Sequence, residues 1–525
     1  MSAITREDFT RLVHAEWTKF RTVRGWVIGM VFAGVMIVLF AYLATFAHHD
    51  GGICIGPNPA SATCQSFAHP EPALSPSGVP VTDTYYLLHR PLIGNGSVTA
   101  RVGSLSGKAQ TGGGGAGVSI NDLVGAPAAV NQWAKAGLIV TTSTKPGAAY
   151  AAVMLTGGHG VRMQSNYTGD TAGPHVSALT PRWLRLTRSA TTLTGYESAN
   201  GASWTKVGSV KLAGLAATAQ AGLFVTSPPS TDLSSPQYFG GEGGANQTAT
   251  GASASFDHVT LQGRSSAGWK AQNVGANTEL PTLSSVGYRP TSAGFTISGS
   301  GDIAPAVAAG YTDEQPLTGV FIGLIVLIVL ATMFITAEYR RGLIRTTLSA
   351  TPRRGRVLFA KASVIGAITF VAGAAACAVS IAIGNHILRT NGNYVYPSGT
   401  LTQLRVILGT GALLALVAVL SLAVGTVLRR SAAAITAVIA LVILPYILAT
   451  ASALPTGPSD WLLRLTPAAG FAIEQTLPQY HQVSYLYDPT GGFYPLAPGV
   501  GLGVLGAYTL VLLLIARRML LTRDA

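Results

Sequence analysis

Six stretches of this chain are long and apolar enough to cross a lipid bilayer. In hydrocarbon every backbone N–H and C=O must be satisfied within the segment, so each stretch has to be an α-helix. They cover about residues 26–46, 317–337, 357–384, 404–428, 431–450 and 497–516. At 1.5 Å per residue, roughly twenty residues cross a ~30 Å core. Leu317 to Ala337 carries no charge, and the third run is interrupted only by Lys361, close enough to its end to snorkel. Trp26 to Phe46 follows a basic leader as a secretory signal would, but it exceeds the roughly 7–15 residues of a signal core. No small-x-small site ends it, so it reads as a retained anchor with the N-terminus inside.

Composition agrees: 48% hydrophobic, 10% charged and mean hydropathy +0.40 describe an integral membrane protein. A net charge of +13 could instead point to nucleic acid, so its location matters. With both termini inside, the cytosolic segments hold 17 Lys/Arg against 5 Asp/Glu, or +12, while residues 47–315 hold 14 against 13 and the short outer loops 3 against 3. The excess is the orientation signal of a multi-pass protein of the cytoplasmic membrane, and no nucleic-acid partner is needed.

Residues 1–25 precede the first span. Thr5 and Asp8 form a candidate capping box, and Phe9, Leu12, Val13, Trp17 and Phe20 recur at helical spacing opposite Arg11, Lys19 and Arg21. This spacing predicts an amphipathic helix lying on membrane lipid along the inner leaflet, the alternative being a solvated basic leader.

From Ala47 to Gln315 the chain changes character. Gly, Ser, Thr, Pro and Asn dominate, and no apolar run approaches membrane length, so this is a soluble domain placed outside the cytosol. Short β-branched and aromatic segments such as AGLIVTTST from Ala136, WLRLTRS from Trp183 and AGLFVTS from Ala221 sit between turn signals. Asn200-Gly201 lies between TLTGYES and WTKVGSV as a hairpin cue. The expected fold is an α-helical polytopic membrane protein of six transmembrane helices carrying an inserted all-β, jelly-roll-like sandwich. Trp133, Trp183 and Trp204 lie in or beside predicted strands and read as core more readily than as sugar platforms. Cys54 and Cys64 would pair if their stretch faces an oxidising compartment, two free thiols being the alternative. The histidines show no zinc spacing, so no metal is expected.

Between the second and third spans lies EYRRGLIRTTLSATPRRGRVLFAK, Glu338 to Lys361. Its arginines mark it as cytosolic. Gly342 loosens the preceding helix, Leu343, Ile344, Thr347 and Leu348 recur at near-helical spacing, and Pro352 forbids continuation. A two-turn helix is too short to persist alone in water and needs a partner or the membrane surface. Glu338 is placed to pair with Arg341 across one turn.

This segment resembles the one after the second span in permease subunits of type 2 ATP-binding-cassette (ABC) exporters, and HAEWTKFRTVRGW at His14 to Trp26 resembles the entry to their first span. The resemblance covers the N-terminal helix and the membrane half. It implies a cytosolic coupling loop at residues 338–356 that docks on a separate ABC ATPase subunit. Leu343, Ile344 and Leu348 would form the apolar knob, with Thr347 beside them and Arg345 and Arg353 as charged partners. It further implies a second permease copy or a related permease, and a re-entrant hairpin between the fifth and sixth spans. WLLRLTPAAGFAIEQ from Trp461, within residues 452–496, fits such a hairpin, with an interfacial surface helix as the alternative. The run from WAKAGLIV to FDHV is similar to concanavalin-like (lectin/glucanase) domains, which implies a glycan or peptide ligand as an alternative role for the outer part.

The chemistry of ATP hydrolysis is absent. A Walker A loop needs GxxxxGK followed by Ser or Thr, and GSLSGKA at Gly103 has the wrong spacing and no hydroxyl. ATP and Mg²⁺ therefore belong to the partner, and no cofactor is expected in this chain. No HExxH, GxSxG or clustered acid pair is present either, so the chain is not expected to be an enzyme. Six spans with a patterned inner connector exceed what a receptor or cell-wall-binding protein needs as an anchor, which favours an exporter. Nearly charge-free spans suggest an apolar or amphipathic cargo.

Overall fold

In the computed structural model the described residues are 3–48, 53–55, 63–65, 71–109, 130–232, 246–248, 250–265, 267–275, 286–307, 309–343, 354–450, 454, 456–484, 487 and 489–522. Helix α1 (Ala3–Thr22) leads into the spans α2 (Arg24–Phe46), α3 (Thr318–Arg340), α4 (Arg354–Thr390), α5 (Thr400–Leu428), α6 (Ser431–Thr450) and α8 (Pro498–Thr522), with the short α7 (Thr456–Leu465) before the last. Six helices are thus long and apolar enough to cross a membrane. Because α1 begins at Ala3, Thr5 sits inside its first turn and not at the cap.

Small residues set the closest helix contacts. A Cβ on Gly319 would lie 2.0 Å from the Ile37 carbonyl oxygen, and one on Gly323 2.2 Å from Ile37 Cγ1, so α3 can seat on α2 only with glycine there. The same four-residue spacing at Gly499 and Gly503 meets nothing within 4 Å; the packing glycine of α8 is Gly501, against the Ala469 carbonyl. In α6, Pro445 lacks the N–H that a regular helix would use, and the helix is irregular just before it. Residues Ile439–Ile443 form a π-turn, whose wider ring accommodates the missing proline N–H.

Between α5 and α8, Pro467–Glu474 forms a 3₁₀ run whose eight residues are all buried. Ile473 packs on Gly409 of α5, and Gly470 lies beside Leu505 of α8.

The inserted domain is a two-layer sandwich held together by one long strand, Tyr85–Ala109. Its first half pairs with Thr218–Thr226 and Lys270–Val274, its second half with Arg182–Ser189 and Thr250–Arg264. The strand changes layer at Gly94 to Gly96: Gly94 has φ +70°, and a Cβ on Gly96 would stand 2.3 Å from the Gln262 carbonyl. One layer continues through Thr192–Ser198 and Thr205–Lys211, the other through Lys135–Thr141, Tyr150–Thr156, Val161–Ser165 and Gly169–Ala172. Leu88, Val98, Leu138, Val153, Leu186 and Leu223 fill the space between them at full burial. The hairpin at Asn200-Gly201 forms as expected, with Gly201 at φ +75°. Its loop is wider than two residues because Asn200 Oδ1 accepts the Ala202 and Ser203 N–H groups.

Two polar features anchor the rim of the sandwich. Lys135 is fully buried, donating to Asp302 Oδ1 at 2.6 Å and to the Ile303 carbonyl at 2.8 Å. Asp83 is buried too, accepting from Tyr167 Oη at 2.8 Å and Gly147 N at 2.9 Å. Burial raises the Asp83 carboxyl to about 6, against the downward pull of those two hydrogen bonds. The folded state therefore holds a proton that the unfolded chain releases near pH 4, so stability falls as pH rises from about 4 to 6 and stays low above. The sandwich is expected to gain about 2–3 kcal/mol between pH 7 and pH 4 from this group. Thermal unfolding at several pH values checks it, with Asp83→Asn flattening the slope.

The sandwich is clamped to the helical part by the α4–α5 loop. Tyr311 and Val395 form a parallel bridge, Tyr396 Oη donates to the Ala306 carbonyl at 2.7 Å, and Asn391 and Asn393 both donate to the His48 carbonyl. Gln482 Nε2 adds bonds to the Tyr167 and Thr168 carbonyls. Cys54 and Cys64 face each other in the backbone register of a two-stranded ribbon, and their side chains lie outside the described residues.

Candidate coupling site around Lys361

The ends of α1, α3 and α4 meet around Lys361. Its side chain does not snorkel: it is 0% exposed, with Nζ 2.7 Å from Glu16 Oε2 of α1 and 2.6 Å from Glu338 Oε1 at the end of α3. Lys19, one turn after Glu16, completes the set at 2.8 Å from Glu16 Oε1 and 3.6 Å from Glu338 Oε1. Two ammonium and two carboxylate groups cancel formally, the condition under which charge can be kept out of water. The Phe334 ring lies 5.1 Å from Lys361 Nζ, and Phe20 and Trp26 pack edge-on against that same ring.

Why the chain folds this way locally follows from spacing. Val13, Glu16 and Phe20 lie on one face of α1, so a face read as apolar carries one acid at its centre. Phe20 is buried, Phe9, Leu12 and Val13 are half-buried, and Trp17 is 42% exposed on the flank. The pair expected between Glu338 and Arg341 does not form among the described residues. Glu338 points inward to Lys361 and Arg341 is exposed, because a fully buried ammonium gains far more from a carboxylate than a solvated guanidinium does.

The sequence signal for the cluster was available. Lys361 is the lone charge interrupting an apolar run, and a charge inside a span needs a partner. Glu16 is the acid nearest the start of the first span and Glu338 the acid nearest the end of the second.

Directly after Glu338 the helix stops: Arg341 caps α3 and Gly342 takes φ +70°, the left-handed position that ends helices. Leu343 follows, 50% exposed. Ile344, Arg345, Thr347, Leu348, Arg353 and Pro352 lie outside the described residues. On the far side α4 resumes at Arg354, whose Nη1 donates to the Leu520 carbonyl of α8. The connector thus emerges from a buried ionic knot at one end and from a contact with the last span at the other. Among the described residues no group of three His, Cys, Asp or Glu is placed to hold a metal ion.

No curated protein matches the chain. Solved structures match part of the chain at low similarity. A mutant of the GH43 protein BlXynB from Bacillus licheniformis is 14% identical with a TM-score of 0.20, covering 32% of this chain and 28% of that one. Scytalido-glutamic peptidase with a peptide-based transition state analog is 12% identical with a TM-score of 0.24, covering 42% and 98%. This chain therefore spans less than a third of the GH43 protein, and likenesses this weak carry no assignment. The family model described as ABC-2 family transporter protein matches residues 193–525, which is more than half of the chain and includes five of the six spans and the whole connector between α3 and α4. A multi-pass helical protein with this match belongs to the ABC-2 transporter family.

Proposed function

We propose that the chain is the permease subunit of an ABC exporter, driven by ATP hydrolysis with Mg²⁺ in a separate ATPase subunit and working as a pair with a second permease. The observation that carries this reading is the Glu16–Lys361–Glu338 knot at the root of the connector. A loop that receives force must be fixed to the helices it moves, and here α1, α3 and α4 are joined at its base. Residues 342–353 dock on the ATPase through Leu343, Ile344 and Leu348, with Thr347, Arg345 and Arg353 around them. Residues 47–315 lie on the extracytoplasmic side of the cytoplasmic membrane, and the buried 3₁₀ run supports a re-entrant hairpin facing the same side. The direction is export, and the cargo is apolar or amphipathic.

The reading of the outer domain as concanavalin-like, with a glycan or peptide ligand, belongs to the same proposal. Two of its tryptophans are poor platforms: Trp133 is buried and stacked on His159, and Trp204 is covered by Arg185 at 3.9 Å. A ligand would be held elsewhere on the sandwich. The test of the coupling assignment is the double substitution Leu343→Asp with Leu348→Asp. Two charges on the apolar knob are expected to lower ATPase copurification at least tenfold while the permease still inserts. Unchanged copurification would refute the coupling role of the connector.

A further inference from the structure

The buried 3₁₀ run ends on an acid. Glu474, its last residue, is 6% exposed, and among the described residues no N–H, O–H or cation reaches its Oε1. Contacts on either side fix its place. Ile473 seats on Gly409 of α5, where a Cβ would lie 2.1 Å from Ile473 Cγ1, and the Phe471 ring lies 4.2 Å from that of Tyr446 in α6. The titratable groups that face Glu474 are Glu314 ahead of α3, Cys377 of α4, Tyr446 of α6 and Tyr494 ahead of α8. None of them is a cation. Two arginines of the same region are turned elsewhere: Arg405 donates to the Gln475 carbonyl, and Arg464 lies over the Trp461 ring at 5.5 Å. Thr410 Oγ1 of α5 faces the carboxyl outside hydrogen-bond geometry, and it too is buried without a partner.

Glu314 shows what a carboxylate in this part of the fold requires. It accepts from the Thr476 N–H at 2.5 Å, from Thr476 Oγ1 at 3.1 Å and from Thr312 Oγ1 at 3.3 Å. Donors of that kind favour the charged form, and Glu474 has none of them. An ionised group taken out of water with neither a counter-charge nor a donor neutralises instead. For a carboxyl this means carrying a proton. Its O–H then becomes a donor, and the unpartnered Thr410 Oγ1 is the acceptor that faces it.

We infer that Glu474 is a proton-binding site: the packing of the 3₁₀ run against α4, α5 and α6 holds a proton on its carboxyl, and displacement of that run releases the proton to water. The site is separate from the knot around Lys361 and depends neither on the coupling role of the connector nor on a direction of transport.

The test is infrared spectroscopy of the full chain in detergent at about pH 7, well above the ~4.3 at which a solvated glutamate ionises. A protonated carboxyl has a C=O stretching band that a carboxylate lacks. The difference between wild type and Glu474→Gln is expected to contain that band, and Glu314→Gln is expected to keep it. Should Glu474→Gln fail to fold, Glu314→Gln protein carrying glutamate labelled at the side-chain carboxyl carbon answers the same question. An isotope shift assigns the band to a glutamate, and the other glutamates of low exposure, Glu16, Glu197 and Glu338, each sit beside a Lys or Arg. Gly409→Leu, which drives a side chain into Ile473 and lifts the run, is expected to weaken the band at least tenfold at the same pH. Carboxylate bands from Glu474 in the wild type would overturn the proposal. If those bands change when sodium is replaced by choline, the residue holds a metal cation and not a proton. An undiminished protonated band in Gly409→Leu would also overturn it, because the proton would then not depend on the packing.

Discussion

Lys361→Met is expected to destabilise the helical part by about 3–5 kcal/mol, because it leaves Glu16 and Glu338 facing each other with only the half-exposed Lys19 to balance them. Reversible unfolding in mixed micelles reads the loss. Limited proteolysis should show α1 loosened, since Glu16 ties it to Lys361 of α4. The triple variant Glu16→Gln, Lys361→Met, Glu338→Gln removes the charges together, and more than half of the stability is expected to return. If the knot positions the connector on the proposed ATPase partner, ATPase copurification with the triple variant stays low although its stability returns. Full recovery of copurification would leave the knot with a purely structural role. A single variant as stable as wild type would mean the ammonium is not buried at all.

The second large effect is expected at the rim of the sandwich. Lys135→Met keeps the volume of the side chain but strands Asp302, itself buried, and should cost the domain about 3–5 kcal/mol. Against a margin of about 5–15 kcal/mol this is a major fraction of the total. Adding Asp302→Asn should restore much of it, since the amide oxygen can keep the bond now made to the Ile303 N–H at 2.8 Å. Thermal unfolding followed by tryptophan fluorescence checks both variants. If the double variant is no better than the single one, the loss comes from Lys135 packing and not from the stranded carboxylate.

The six helices were legible because membrane length and the distribution of arginine depend on local sequence alone. Gly342 was legible for a similar reason: a glycine after a charged helix end signals its own conformation. The strands of the inserted domain were readable as segments, and Asn200-Gly201 marked its hairpin. The division of Tyr85–Ala109 between two layers was not, because a strand of 25 residues with a glycine bend looks like two strands in sequence. Glu338 was assigned to Arg341, its neighbour in sequence, and the structure gave it to Lys361, 23 residues away.

What the chain's sequence settled by itself is its solvent: stretches too apolar for water and basic residues gathered at alternate junctions dictate helices, their number and a separate β insertion. What only the folded molecule decided is which charges neutralise one another. Partner choice among ionised groups depends on distance and on the exclusion of water, and both are set when α1, α3 and α4 come together. Glu16 and Lys361 are 345 residues apart in the chain and 2.7 Å apart in space.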